Sequence, residues 1–230
     1  MRRDIGGSFY DVTALSPTDV WTVGTYDRLT SLVDEKPLIE HWDGSRWSMV
    51  PSPGRGYRSD FSSLAAVSAN DVWAVGSFDE YVAPGQSARR TLAEHWDGRG
   101  WSVIPTALPR VGNASSVRRA VAAAGPGDVW AVGADPLVAH WDGTRWTNVA
   151  VRYWDGPTNP ALLNATTATG SGEFWAVGTR HYNTYFQDQA RPHIARMCPI
   201  HVSDAGFEPP SSTVAQGKRR RLEHADHEDR

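Results

Sequence analysis

Cysteine is all but missing from this chain of 230 residues: Cys198 stands alone, so no intrachain disulfide and no multi-cysteine zinc or iron-sulfur site can form. Lysine is as scarce, with Lys36 and Lys218 the only two among 23 basic residues, a bias that reads as GC-rich coding and not as a chosen chemistry. Neither sign of charge is in excess. A formal net charge of -3 with 21% charged residues excludes a global pull toward nucleic acid or an anionic membrane surface. No stretch approaches the roughly 18 to 20 apolar residues that cross a bilayer. The opening Met1-Arg2-Arg3-Asp4-Ile5-Gly6-Gly7 lacks the apolar run of a secretory signal. A soluble chain without a membrane or nucleic-acid partner is expected. Also missing are a nucleophile elbow, a Walker A loop and a dinucleotide glycine fingerprint.

Tryptophan is abundant instead: 11 residues, against 7 Tyr and 6 Phe, alongside 21 Gly and 15 Pro. That mixture suits short strands and tight turns better than long helices. One phrase recurs four times, as Asp19-Val20-Trp21-Thr22-Val23-Gly24, Asp71-Val72-Trp73-Ala74-Val75-Gly76, Asp128-Val129-Trp130-Ala131-Val132-Gly133 and Glu173-Phe174-Trp175-Ala176-Val177-Gly178. Its tryptophans are 52, 57 and 45 residues apart. A second phrase follows the first three, His41-Trp42-Asp43-Gly44 with Trp47, His95-Trp96-Asp97-Gly98 with Trp101, and His140-Trp141-Asp142-Gly143 with Trp146.

Each unit reads as four short strands. A small-apolar run such as Leu64-Ala65-Ala66-Val67 leads through a Pro or Gly turn into the Val-Trp-x-Val-Gly strand. A third strand ends at His-Trp, and Asp-Gly turns it into a fourth. The expected loops between strands two and three are Thr25 to Pro37, Ser77 to Arg90, and Ala134-Asp135-Pro136. Four-stranded units of this period, with a recurring aromatic and Gly signature, predict β-propeller blades. Residues 8–178 resemble the bacterial tryptophan-rich propeller repeats related to kelch and tectonin-type blades. A single Gly24, Gly76 or Gly133 stands where kelch blades carry Gly-Gly, the Gly-His pair of WD40 blades is missing, and the Asp-to-Trp spacing is one short of the sialidase Asp-box.

The expected fold is therefore all-β, a partial β-propeller of about three and a half four-stranded antiparallel blades at 8–52, 61–105, 117–150 and, in part, 161–178. Residues 179–230 contain no Trp and five of the eight His, and Pro192 to Pro199 fits no blade, so a disordered tail is expected there. A frame change or truncation within the fourth blade would produce such a tail. With three blades and part of a fourth the ring is not expected to close, and self-association through open blade faces follows. For an intact protein, the family resemblance implies secretion or the cell envelope.

The His-Trp-Asp-Gly phrases are the catalytic temptation, since His with Asp two residues away suits acid-base chemistry or a metal. They fall in three different blades and do not converge, so the structural reading is preferred: Trp as core and Asp as turn closure. The same holds for Trp21, Trp73, Trp130 and Trp175. No catalytic residue, metal ligand or cofactor is expected; His224 and His227 of the tail lack ligand spacing, and Lys218-Arg219-Arg220-Arg221 reads as a solvated run. Function is expected on the loop face, where rigid scaffolds carry it. Tyr26, Asp27, Arg58, Tyr81, Arg152 and Trp154 are the candidate binding residues, Trp154 being the one tryptophan outside the repeats. The partner is a protein or a glycan. The alternative is a carbohydrate-active enzyme with a sialidase-like propeller, which needs Arg residues, an acid and a Tyr or Glu nucleophile gathered at one mouth.

Overall fold

The computed structural model describes residues 5–28, 35–106, 118–133, 138–149, 161–169, 173–184 and 187–197. All regular structure among them is strand. The first sheet is β1 (Ile5–Ser16), β2 (Asp19–Arg28), β3 (Lys36–Trp42) and β4 (Trp47–Met49). The second is β5 (Arg58–Ser68), β6 (Asp71–Ala83), β7 (Gln86–Trp96) and β8 (Trp101–Val103); the third is β9 (Arg118–Gly125), β10 (Asp128–Gly133), β11 (Val138–Trp141) and β12 (Trp146–Asn148). A fourth has three strands, β13 (Ala161–Ala168), β14 (Phe174–Thr184) and β15 (Gln187–Met197). Within every sheet neighbours in sequence are neighbours in space, and all pairs are antiparallel. The first strands lie on one another in series, β1 on β5, β5 on β9 and β9 on β13. These are the blades of a β-propeller.

The sequence explains why the sheets stack. Alternate residues of a strand face opposite sides, yet β6 is buried without interruption from Val72 to Phe78. Val72, Ala74 and Phe78 pack with Trp21, Val23 and Ile39 of the first blade. Trp73 and Val75 pack with Val129, Ala131 and Trp146 of the third. In the third blade, Trp130 and Val132 turn in the same way to Phe174 and Ala176 of the fourth. Trp21, Trp73 and Trp130 are thus knobs driven into the following blade.

The repeated glycine has a steric cause. Inner strands bulge between Phe9 and Asp11, Phe61 and Ser63, and Leu163 and Ala165. At each bulge a carbonyl is pressed against the glycine opposite, so a Cβ on Gly76 would lie 2.0 Å from the Asp60 oxygen. The Asp-Gly turns form as expected: Asp43 accepts from the Ser45 and Arg46 amides at 2.8 and 3.0 Å, and Gly44 takes φ 91°.

Three expectations are corrected. Of the segment that fits no blade by sequence, Pro192 to Met197 belong to β15, which pairs with β14 from Phe174↔Met197 to Thr184↔Gln187. Pro192 is accommodated because β15 is the edge of its sheet as described. The expected loop Ser77–Arg90 is a hairpin arm that turns only at Pro84-Gly85, and in the first blade strand extends to Arg28 and resumes at Lys36. Trp175 is half-buried where Trp21, Trp73 and Trp130 are buried. The third expected loop, 134–136, and the tail from 198 onward lie outside the described residues.

Candidate functional site on the loop face

The histidines resolve first. His41 Nε2 lies 2.8 Å from Asp19, His95 2.8 Å from Asp71 and His140 2.8 Å from Asp128. The same aspartate oxygens accept the indole N–H of Trp21, Trp73 and Trp130 at 3.0, 3.0 and 2.6 Å. Each imidazole also lies against its tryptophan, with ring centroids 4.2, 4.4 and 4.2 Å apart. The partner carboxylate therefore comes from the start of the second strand, not from the Asp two residues after the histidine. The three sets remain in three blades and hold the knobs in place.

The residues that distinguish one blade from another gather where β2–β3 and β6–β7 extend. There Arg58 donates to Glu35 from Nε and Nη2 at 3.2 and 2.8 Å, joining the second blade to the first, and that carboxylate raises the guanidinium pKa. Arg89 bridges Asp79, at 3.3 Å, and Asp60. Burial pushes the Asp60 carboxyl up, against the pull of Ser77 and Arg89. Arg90 donates to Glu80 at 2.7 Å. Farther out, Tyr81 is 73% exposed and stacks on Tyr57 with centroids 4.4 Å apart. The β6–β7 arm is thus braced along its length, and its tip, Tyr81 and Val82, is open to solvent.

Beside the arm lies a cleft of about 360 Å³, walled by Tyr26, Lys36 and Pro37 on one side and by the strap from Met49 to Gly56 on the other. The strap is anchored from below. Glu94 on β7 is wholly buried and accepts from Ser52 Oγ at 2.8 and 3.0 Å and from the Gly54 amide at 2.9 Å. Burial lifts its carboxyl to about 7. Sequence reasoning missed Glu94; its signal was a carboxylate in the inward run Leu92-Ala93-Glu94, where Ala139 stands in the third blade.

Of the candidate binding residues, Tyr26 lines the cleft, Asp27 is the next residue of β2 opposite Gly6, Arg58 is ion-paired next to Ser59 of the cleft wall, and Tyr81 caps the arm. The four share one end of the first two blades without converging on a single pocket. Arg152 and Trp154 lie outside the described residues. Among the described residues no group of three His, Cys, Asp or Glu could hold a metal, and no helix is long and apolar enough to span a membrane.

Neither a protein-family model nor a curated protein matches the chain. Among solved structures it is similar to one described as YCF48 bound to D1 peptide, with 16% identity and a TM-score of 0.47 over 84% of this chain. It is likewise similar to YCF48 from Cyanidioschyzon merolae, with 16% identity and a TM-score of 0.46 over 82% of this chain. The chain spans 59% and 57% of the length of those two proteins.

Proposed function

We propose that the chain is a non-enzymatic β-propeller scaffold, with blades of the tryptophan-rich kelch or tectonin type, that holds an extended segment of a partner protein on its loop face. The observation that carries this reading is the braced arm with an open aromatic tip. Tyr81 offers a large amphipathic ring whose orientation is already fixed by Tyr57, so little side-chain entropy remains to be lost on binding. The arm also offers backbone. Glu80 to Ala83 pair with β7 and extend past Arg58, where the pairing with β5 begins, leaving an edge that an extended peptide can join. The cleft lined by Tyr26, Lys36 and Pro37 would take a side chain of that peptide. The carbohydrate-active alternative needs Arg residues, an acid and a Tyr or Glu nucleophile gathered at one mouth, and Arg58, Arg89 and Arg90 each pair with an acid of this chain.

The test is selection of linear peptides from a random display library on the 230-residue chain, with counter-selection on the Tyr81→Ala, Val82→Ser variant. Peptides that bind the parent and lose binding on the variant are expected. Failure to enrich any peptide dependent on these two residues would refute the reading. A glycan array answered in a Tyr81-dependent way would replace the protein partner with a glycan.

A further inference from the structure

The strap that leads from β4 to β5 is pinned on both sides of one residue. Ahead of it, the Gly54 amide and the Ser52 hydroxyl donate to the buried Glu94 carboxylate at 2.9 and 2.8 Å. Behind it, the Tyr57 amide donates to the Asp79 carbonyl of the arm at 3.1 Å, and Gly56 lies so close that a Cβ there would collide with that oxygen. Gly54 and Gly56 take φ 58° and 66°, in the left-handed region that glycine supplies without strain. Arg55 stands between them, exposed, on the wall of the cleft.

Its guanidinium has a fixed direction and an unanswered charge. It lies over the ring of Phe78 on β6, 5.5 Å from the centroid, and Phe78 is itself buried. Arg58, Arg89 and Arg90 are each engaged by an acid of this chain, whereas Arg55 meets no acid among the described residues. Two of the described residues that wall the cleft are charged, Arg55 and, on the opposite wall, Lys36, and both are cations. Pro37, Val50 and Pro53 beside them are apolar, and low-dielectric walls strengthen the field of a charge set among them. A chain of net charge -3 thus turns a locally positive cleft toward the partner. The cleft and the aromatic tip are also in step: Tyr57 stacks on Tyr81, three residues beyond Phe78 on the same strand, so the two anchors are about 10 Å apart at about 3.3 Å per residue.

We propose that the cleft selects an acidic side chain of the bound segment, its carboxylate held by the Arg55 guanidinium, two to four residues from the apolar residue that meets Tyr81. The planar fork of arginine offers two parallel N–H donors to the two carboxylate oxygens while its face stays on Phe78. This inference rests on the loop-face reading and adds to it the chemistry of the partner.

The test uses the linear peptides selected on the 230-residue chain. An aspartate or glutamate should recur at a fixed distance from the apolar anchor, and selection on Arg55→Glu should replace it with lysine or arginine. One such peptide and its Glu→Gln or Asp→Asn form are then titrated by fluorescence anisotropy against the parent and Arg55→Gln at about 50 mM salt. Either change alone should weaken binding about 10-fold, and both together should weaken it by no more than either alone, because they remove the same contact. Arg55→Lys, which keeps the charge and loses the fork, should fall between. Circular dichroism should be unchanged throughout, since Arg55 is exposed. Peptides that depend on Tyr81 but show no preference for an acid, or losses that add in the double change, would overturn the inference and leave the scaffold reading standing. Absence of any Tyr81-dependent peptide would overturn both.

Discussion

Trp73→Ala probes the stacking of blades most directly. Trp73 is 1% exposed in the seam between the second and third blades, with Trp141, Trp146 and His95 around its ring at 4.9, 5.5 and 4.4 Å. A buried indole removes up to about 250 Å² from water, which at about 25 cal/mol per Å² sets a ceiling near 6 kcal/mol. Residual compactness of the unfolded chain lowers that ceiling. Truncation leaves no orphaned charge, because Asp71 loses the indole N–H and keeps His95 at 2.8 Å. The expected loss is about 3 to 5 kcal/mol, the range of large-to-small changes at buried aromatics. The control is Trp47→Ala, the same phrase position as Trp101 and Trp146 but 46% exposed, which should cost about 1 kcal/mol in the single chain. Urea melts followed by far-ultraviolet dichroism measure both. The seam adds a second readout: weakened coupling between neighbouring blades should broaden the Trp73→Ala transition and lower its urea slope. Equal losses for the two substitutions would sink the assignment of knob and socket.

Glu94 has a folded pKa of about 7 against 4.5 for the free group, so the folded chain binds more protons between those values. The resulting stability is full below about pH 4.5 and lost as pH rises through about 7; Glu94→Gln should flatten that span of a melting-temperature profile, and a profile unchanged by the substitution would contradict it. Asp43 and Asp142 are held near 2, chiefly by the Ser45 and Thr144 hydroxyls and then by turn amides. Their contribution is present above 3.8 and lost as pH falls through about 2, which a carboxyl-carbon NMR titration would show directly. Gly76→Ala should destabilise by about 2 to 4 kcal/mol in the same urea assay, because its Cβ meets backbone that cannot swing away.

Much of this was legible in the sequence because the repeat writes each strand with side chains that fix its face. Trp21, Trp73 and Trp130 were readable as core, Asp43 and Gly44 as a turn, and the period as stacked four-stranded sheets. What escaped shares one cause: partners distant in the chain. Asp19 is 22 residues from His41, and nothing in the local phrase says that it outcompetes Asp43 for the imidazole. Glu94 reads as a surface carboxylate until Ser52 and Gly54 come over it from 42 and 40 residues away. β15 has neither His-Trp nor Asp-Gly, but edge pairing demands backbone hydrogen bonds more than side-chain identity, and Ile194 opposite Val177 keeps the alternation. In the sequence the arm stands out only as an insertion between strands two and three, with Asp79, Glu80, Arg89 and Arg90 polar. Across two strands those charges neutralise one another in register, Asp79 facing Arg89, and so the polarity holds the hairpin instead of breaking it.

That arm also separates what the fold needs from what it does not. The third blade joins β10 to β11 through residues 134–137 alone, and Val129, Ala131 and Ala139 are buried there as completely as their counterparts are in the second blade. A blade therefore packs without a long hairpin, and nothing in the stacking of Trp73 or Trp130 calls for Tyr81 to be ordered at the tip of one. Yet the arm is fastened at three levels, by Arg89 to Asp60 and Asp79, by Arg90 to Glu80, and by Tyr57 beneath Tyr81. Its ion pairs are partly exposed and contribute little to global stability. They fix instead the direction in which an aromatic tip is presented, which is a property a binding surface uses and a blade core does not.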